Sequence, residues 1–182
     1  KTETIPLLHP GIKGVRGAQA TGAGIVNFNL NAFESYGKQQ NHNAPVGYEQ
    51  VIRYTTSLNW LLNRDNKRSI QIGDATTVFW TAKPAAIESV FGEMLDPPED
   101  SDINQRLRSI LDGMRDGSIS EELGDPSTPF YVLGLSPNAA RLSVRYWMVS
   151  TIDEVARRIA QHLQDLQIIP MWPSDERRPY MP

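Results

Sequence analysis

The sequence predicts an α+β fold: a mostly antiparallel sheet with helices packed on one face. Three observations lead there. FYVLGLS (130–136) and ARLSVRYWMV (140–149) are β-branched and aromatic runs separated by a Pro137-Asn138 turn, which predicts a hairpin. SIQIGDATTVFWT (69–81) reads as two shorter strands around Gly73-Asp74. Around these pairs, apolar residues recur at helical spacing, giving the order βα, ββ, αα, ββ, α.

From the start of the chain, residues 10–24 hold glycines, two cations and almost no bulky side chain, which predicts a loop. IVNFN (25–29) is a short strand candidate. A polar stretch from Ser35 to Asn43 follows, and Ala44-Pro45 ends it. Gly47 is placed to cap a helix carrying Tyr48, Val51, Ile52, Leu58 and Leu62, which runs to about Asn63. Pro84 opens a helix with Ile87, Val90, Phe91 and Met94 on one face. DPPED (96–100) breaks it, and Ser101 can cap the next, which carries Ile103, Leu107, Ile110, Leu111 and Met114 as far as Gly117. An acidic loop occupies 117–129. In the second hairpin strand, strict alternation puts Leu142, Val144, Tyr146 and Met148 on one face and Arg141, Ser143, Arg145 and Trp147 on the other. Thr151-x-x-Glu154 is a capping box for a helix with Ile152, Val155, Ile159, Leu163 and Leu166. We expect one α+β domain over 1–182, with a loop, helix and strand part (10–83), a helical acidic lobe (84–129) and a hairpin plus helix (130–169). The start at Lys1 and the Pro- and Arg-rich end read as those of a piece of a longer chain.

The 182 residues are 40% hydrophobic and 21% charged, ordinary for a globular protein, and contain no cysteine to form a disulfide or a thiolate metal site. No apolar run is long enough to span a bilayer, and no signal-peptide pattern opens the chain. The net charge of −3 is unevenly spread. Through Ile70, eight basic residues face four acidic ones; from Glu88 to Asp125, eleven acidic residues face three arginines. A basic part beside an acidic lobe is compatible with steering a polyanion to one side.

Catalytic motifs fail in detail. Gly17-x-x-x-x-Gly22 has P-loop glycine spacing, but Ala23-Gly24 stand where the lysine and hydroxyl should be. Ser35-Tyr36-Gly37-Lys38 matches S-x-x-K without its S-D-N and K-T-G companions. His9, His42 and His162 lack metal-ligand spacing, and Asp74 has no second strand carboxylate to build a two-metal site. The polar stretch is better suited to nucleic acid: Asn and Gln can pair with adenine, and Lys with phosphate or guanine. Arg141, Arg145 and Trp147 on one strand face would make a stacking platform, or a packed Trp with snorkelling arginines.

Four blocks, GAQATGAGIVNFNLNAFESYGKQQNHNAPV (17–46), YTTSLNWLL (54–62), IQIGDATTVFW (70–80) and FYVLGLSPNAARLSVRYW (130–147), together resemble the large subunit of the type I-C CRISPR surveillance complex, Cascade. The resemblance runs from about Pro10 to Leu166. It implies a cytoplasmic, non-catalytic part of an antiviral ribonucleoprotein, without a cofactor or membrane. The implied role is to bind target double-stranded DNA near the protospacer-adjacent motif (PAM), support strand opening, hold the displaced strand and recruit a separate helicase-nuclease. The other implied partners are guide RNA, through the complex, and the CRISPR backbone and guide-end subunits. The candidate nucleic-acid-binding residues are Lys13, Arg16, Gln19, Asn27, Asn29, Lys38, Gln39, Asn41, His42, Asn43, Arg141 and Arg145. The alternative is a protein-interaction scaffold in the same complex with little DNA contact.

Overall fold

The computed structural model describes residue 6 and residues 8–28, 30–96, 101–115 and 123–165. Four strands form one antiparallel sheet in the order β1 (Ser69–Ile72), β2 (Ala75–Thr81), β3 (Pro129–Asn138) and β4 (Arg141–Thr151). Among the described residues there are four α-helices: α1 (Tyr48–Leu62), α2 (Ile87–Leu95), α3 (Ser101–Arg115) and α4 (Ile152–Asp165). The expected α+β class with its antiparallel sheet is therefore what the chain adopts.

The period-2 alternation of β2 and β3 divides their side chains between two cores. On one face Phe79, Phe130 and Val132 pack with Ile87 and Val90 of α2, Leu107, Leu111 and Met114 of α3, and Ile152, Val155 and Ile159 of α4. On the other, Val78, Leu133, Leu135 and Leu142 meet Leu58, Leu61 and Leu62 of α1, together with Ile12, Val15 and Ala23. Three of the four described helices thus gather on one face, whereas the expectation put all helices there. The fourth, α1, shares the opposite face with residues 11–24.

A buried carboxylate fastens α2 to the sheet. Glu88 is 7% exposed and accepts the Thr81 N–H at 2.8 Å and the Thr81 hydroxyl at 2.6 Å. Its second oxygen takes the Arg68 guanidinium at 2.7 Å. Both carboxylate oxygens are thus partnered, which is the condition under which a buried charge is tolerated.

Several local expectations are refined. Residues 25–28 of the IVNFN block form no strand; Gly24, just ahead of them, makes an isolated parallel bridge to Arg141. The hairpin turn lies two residues later than Pro137-Asn138. Pro137 pairs with Leu142 and Asn138 with Arg141, so the chain reverses at Ala139-Ala140 with Ala139 at φ 53°. In α1, Val51, Thr55, Leu58, Leu61 and Leu62 are buried, whereas Tyr48 and Ile52 are exposed. At α4 the Glu154 N–H donates to the Thr151 hydroxyl as a capping box requires. The Glu154 carboxylate, however, accepts from the Ser150 hydroxyl at 2.7 Å.

The alternation assigned to β4 is broken by a bulge. Gly134 faces Tyr146 and Leu135 faces Val144, leaving Arg145 as the extra residue. Leu142 and Val144 consequently share a face with Trp147 and Val149, and Tyr146 and Met148 lie on the opposite one. The bulge lets the Tyr146 ring cover Gly134, where a Cβ would come within 2.5 Å of it. Tyr146 also hydrogen-bonds Thr77 through its hydroxyl.

Candidate nucleic-acid interface

The Gly-rich segment is held down along its length. Ile12 and Ala23 exchange backbone hydrogen bonds at 2.9 Å, folding 11–24 into a narrow ribbon. The Lys13 N–H donates to Asn59 of α1, and the Arg16 N–H donates to Thr76 at the start of β2. Gly24 accepts from Leu142 and donates to Ala140. Glycine is required at position 14, where φ is 88° and a Cβ would sit 2.9 Å from the Leu62 carbonyl oxygen. Lys13, Arg16 and Gln19 remain exposed on this ribbon. Lys13 and Gly14 line an open cleft of about 420 Å³ with Asn59, Leu62 and Asn63.

Upstream, the His9 Nδ1 meets the Tyr54 hydroxyl of α1 at 2.5 Å. Burial holds the His9 imidazole below its ordinary pKa and pushes the Tyr54 phenol up.

Residues 34–43 form a second loop, built by its own side chains. Asn43 accepts from the Ser35 N–H (2.9 Å) and hydroxyl (3.2 Å) and donates to the carbonyls of Lys38 (2.8 Å) and Gln40 (2.9 Å). Glu34 accepts from the Gln40 N–H at 2.8 Å. At the tip, Lys38 N–H closes on the Ser35 carbonyl at 3.0 Å, with Tyr36 at φ 54° and Gly37 at φ 67°. Positive φ at both central residues is the type I′ pattern, normally filled by Gly or Asn. Tyr36 takes it while 97% exposed. Lys38, Gln39 and His42 line an open cleft of about 460 Å³ with Gly37 and Pro45. Beneath them Asn41 is 1% exposed, and neither atom of its amide head has a hydrogen-bond partner among the described residues.

Eight of the twelve candidate residues fall into two groups. Lys38, Gln39, Asn41, His42 and Asn43 come together in the loop, where Asn43 is committed to the backbone. Lys13, Arg16 and Gln19 ride on the ribbon. Arg141 lies over the Phe33 ring at 4.2 Å. Arg145 donates to Ser136 at 2.7 Å and to Asp74 at 2.5 Å, so the strand-end carboxylate neutralises it. Asn27 is partly buried, with a side-chain oxygen lacking a partner among the described residues. Asn29 lies outside the described residues. The expected platform becomes an aromatic cluster instead: Trp147 stacks on Tyr131 at 5.9 Å, and Tyr131 on Trp80 at 5.3 Å.

The catalytic look-alikes take structural roles. Ser35 of S-x-x-K bonds Asn43, and the motif sits in a turn instead of opening a helix. No helix among the described residues is long and apolar enough to cross a membrane.

A family model described as CRISPR-associated protein (Cas_Csd1) matches residues 1–182. The chain belongs to that family. No curated protein matches it. Cas_Csd1 is the type I-C Cascade large-subunit family, so the chain is a CRISPR-associated Cascade component.

Tyr36 is the residue that motif reasoning undervalued in this Cas_Csd1 chain. The signal was available, since a Gly after Tyr inside an Asn- and Gln-rich stretch is a turn pattern. What sequence alone hides is that Tyr36, and not a small residue, occupies the left-handed position at the tip.

Proposed function

We propose that this Cas_Csd1 chain is a non-catalytic, DNA-contacting part of a cytoplasmic RNA-guided interference complex, and that loop 34–43 is its principal contact with target DNA near the PAM. One observation carries the reading: departures from local stability rules concentrate in ten residues. Tyr36 and Gln40 are two of the four non-glycine residues with positive φ among the described residues. Tyr36 exposes an entire aromatic ring, and Asn41 buries an amide with no hydrogen-bond partner among the described residues. Such costs, each about 1–3 kcal/mol, gather where function demands a fixed shape.

The chemistry suits a nucleic acid. An exposed ring on a rigid turn can stack on an unpaired base or wedge at a groove, and Lys38 two residues later supplies a phosphate contact. Lys13 and Arg16 on the ribbon extend the cationic surface. Strand opening, support of the displaced strand and recruitment of a helicase-nuclease follow in this reading from holding DNA beside the guide-bearing subunits.

The test is binding of PAM-bearing duplex by the assembled complex across a salt series. Tyr36→Ala should weaken binding by about tenfold, the value of one lost stacking contact. Lys38→Gln should lower the salt slope by about one. Unchanged affinity and slope in both variants would remove DNA from this loop and favour the scaffold role.

A further inference from the structure

The outer edge of β4 ends the sheet, and its sequence is unusual for an exposed edge. Natural edges are blunted with lysine, proline or bulges, because unpaired N–H and C=O groups template pairing with another strand. β4 uses such devices only near its start, where the Arg145 bulge and the Gly24 bridge to Arg141 occupy or distort the edge. From Tyr146 to Ser150 the strand is regular, uncharged and free of proline, and no backbone partner lies on its outer side among the described residues. Beside it Trp147 is 52% and Val149 57% exposed, on the sheet face that α1 and the ribbon leave open.

We infer that the Tyr146–Ser150 edge accepts an extended, uncharged strand from another subunit of the complex, adding a fifth strand to the sheet. Charge selects this occupant. Arg145 is neutralised by Asp74, and Arg157 and Arg158 on α4 pair with Asp153 and Glu154, so the edge presents no surplus cation to a polyanion. Continuity supports it as well, since Gly24 already occupies the fifth-strand position at Arg141. One partner accounts for two independent features. Its backbone would satisfy the open edge, and its alternate side chains would cover Trp147 and Val149. The inference uses membership of a multi-subunit complex and stands apart from DNA contact by loop 34–43.

Amide hydrogen exchange of the wild-type subunit, alone and in the assembled complex, tests it without a variant. Outward-facing amides within 146–150 should slow by roughly tenfold or more on assembly. Native mass spectrometry of complexes carrying Val149→Lys should show loss of a partner subunit, with circular dichroism confirming that the variant subunit melts like wild type. Unslowed exchange at 146–150 in the full complex overturns the inference. Weakened DNA binding by V149K complexes that keep every subunit overturns it in favour of bases stacking on Trp147. A homodimer of this chain that the lysine dissolves overturns it in favour of a second copy.

Discussion

The two faces of the sheet are closed by different means. On one, α2, α3 and α4 supply a continuous apolar layer, and a buried carboxylate, Glu88, locks the first of them to β2 and to Arg68 just ahead of β1. On the other, α1 covers only part of the surface, and the ribbon 11–24 covers more through backbone hydrogen bonds and a few small side chains. The helical face is built for stability. The ribbon face leaves exposed cations and an aromatic cluster open to solvent.

Substitutions can separate these roles. The largest effect belongs to Glu88→Ala, which strands Arg68 and Thr81 in a site only 7% exposed at Glu88. Breaking a buried pair from one side costs about 3–5 kcal/mol, measurable as a shifted urea midpoint. Gly14→Ala is next. It forces φ 88° on an L-residue and presses a Cβ to 2.9 Å from the Leu62 carbonyl oxygen, for a loss of roughly 2–3 kcal/mol in the same melt. If Gly14→Ala melts like wild type, the ribbon is not fastened to α1 and the contrast between the faces fails.

Legibility in the sequence follows the same divide. The helical face was readable because Ile87, Val90, Leu107, Leu111, Ile152 and Val155 repeat at 3.6-residue spacing, a signal that survives without tertiary context. The hairpins were readable too, but the strict alternation assigned to β4 failed at Arg145, since a bulge depends on the partner strand. The ribbon read as a plain loop because its anchors, Asn59 and Thr76, lie 46 and 60 residues away. Loop 34–43 was legible as a polar site. Its architecture was not, because a base-reading Asn and a loop-building Asn look alike until Asn43 is seen spending its amide on Ser35, Lys38 and Gln40.

That last distinction can be measured. Asn43→Ala removes local hydrogen bonds at a half-exposed position, so the melt should move by only about 1 kcal/mol. DNA affinity of the complex should fall by about as much as in Tyr36→Ala, because the turn that presents the ring loosens. Equal affinity of Asn43→Ala and wild type would mean that the shape of the loop is irrelevant to binding.

The smallest effect separates the faces by pH. His9, beside Tyr54 on the ribbon side, has a folded pKa below its ordinary 6.5 because burial disfavours the imidazolium. The unfolded chain therefore binds the extra proton first. The stability associated with a neutral His9 is present above about pH 6.5 and is lost as pH falls through the folded pKa. Glu154, at the start of α4 on the helical side, is held below its ordinary 4.5 by the Ser150 hydroxyl and then by Arg158. Its contribution is complete above about pH 4.5 and disappears as pH falls through its own depressed folded value. Acid should thus loosen the ribbon side first and α4 later, each by a small amount. His9→Gln should flatten the upper part of the stability–pH curve and leave the lower part intact, while Glu154→Gln should do the reverse. Melts from pH 8 to pH 3.5 that gave both variants the same curve would show that the two faces do not titrate separately.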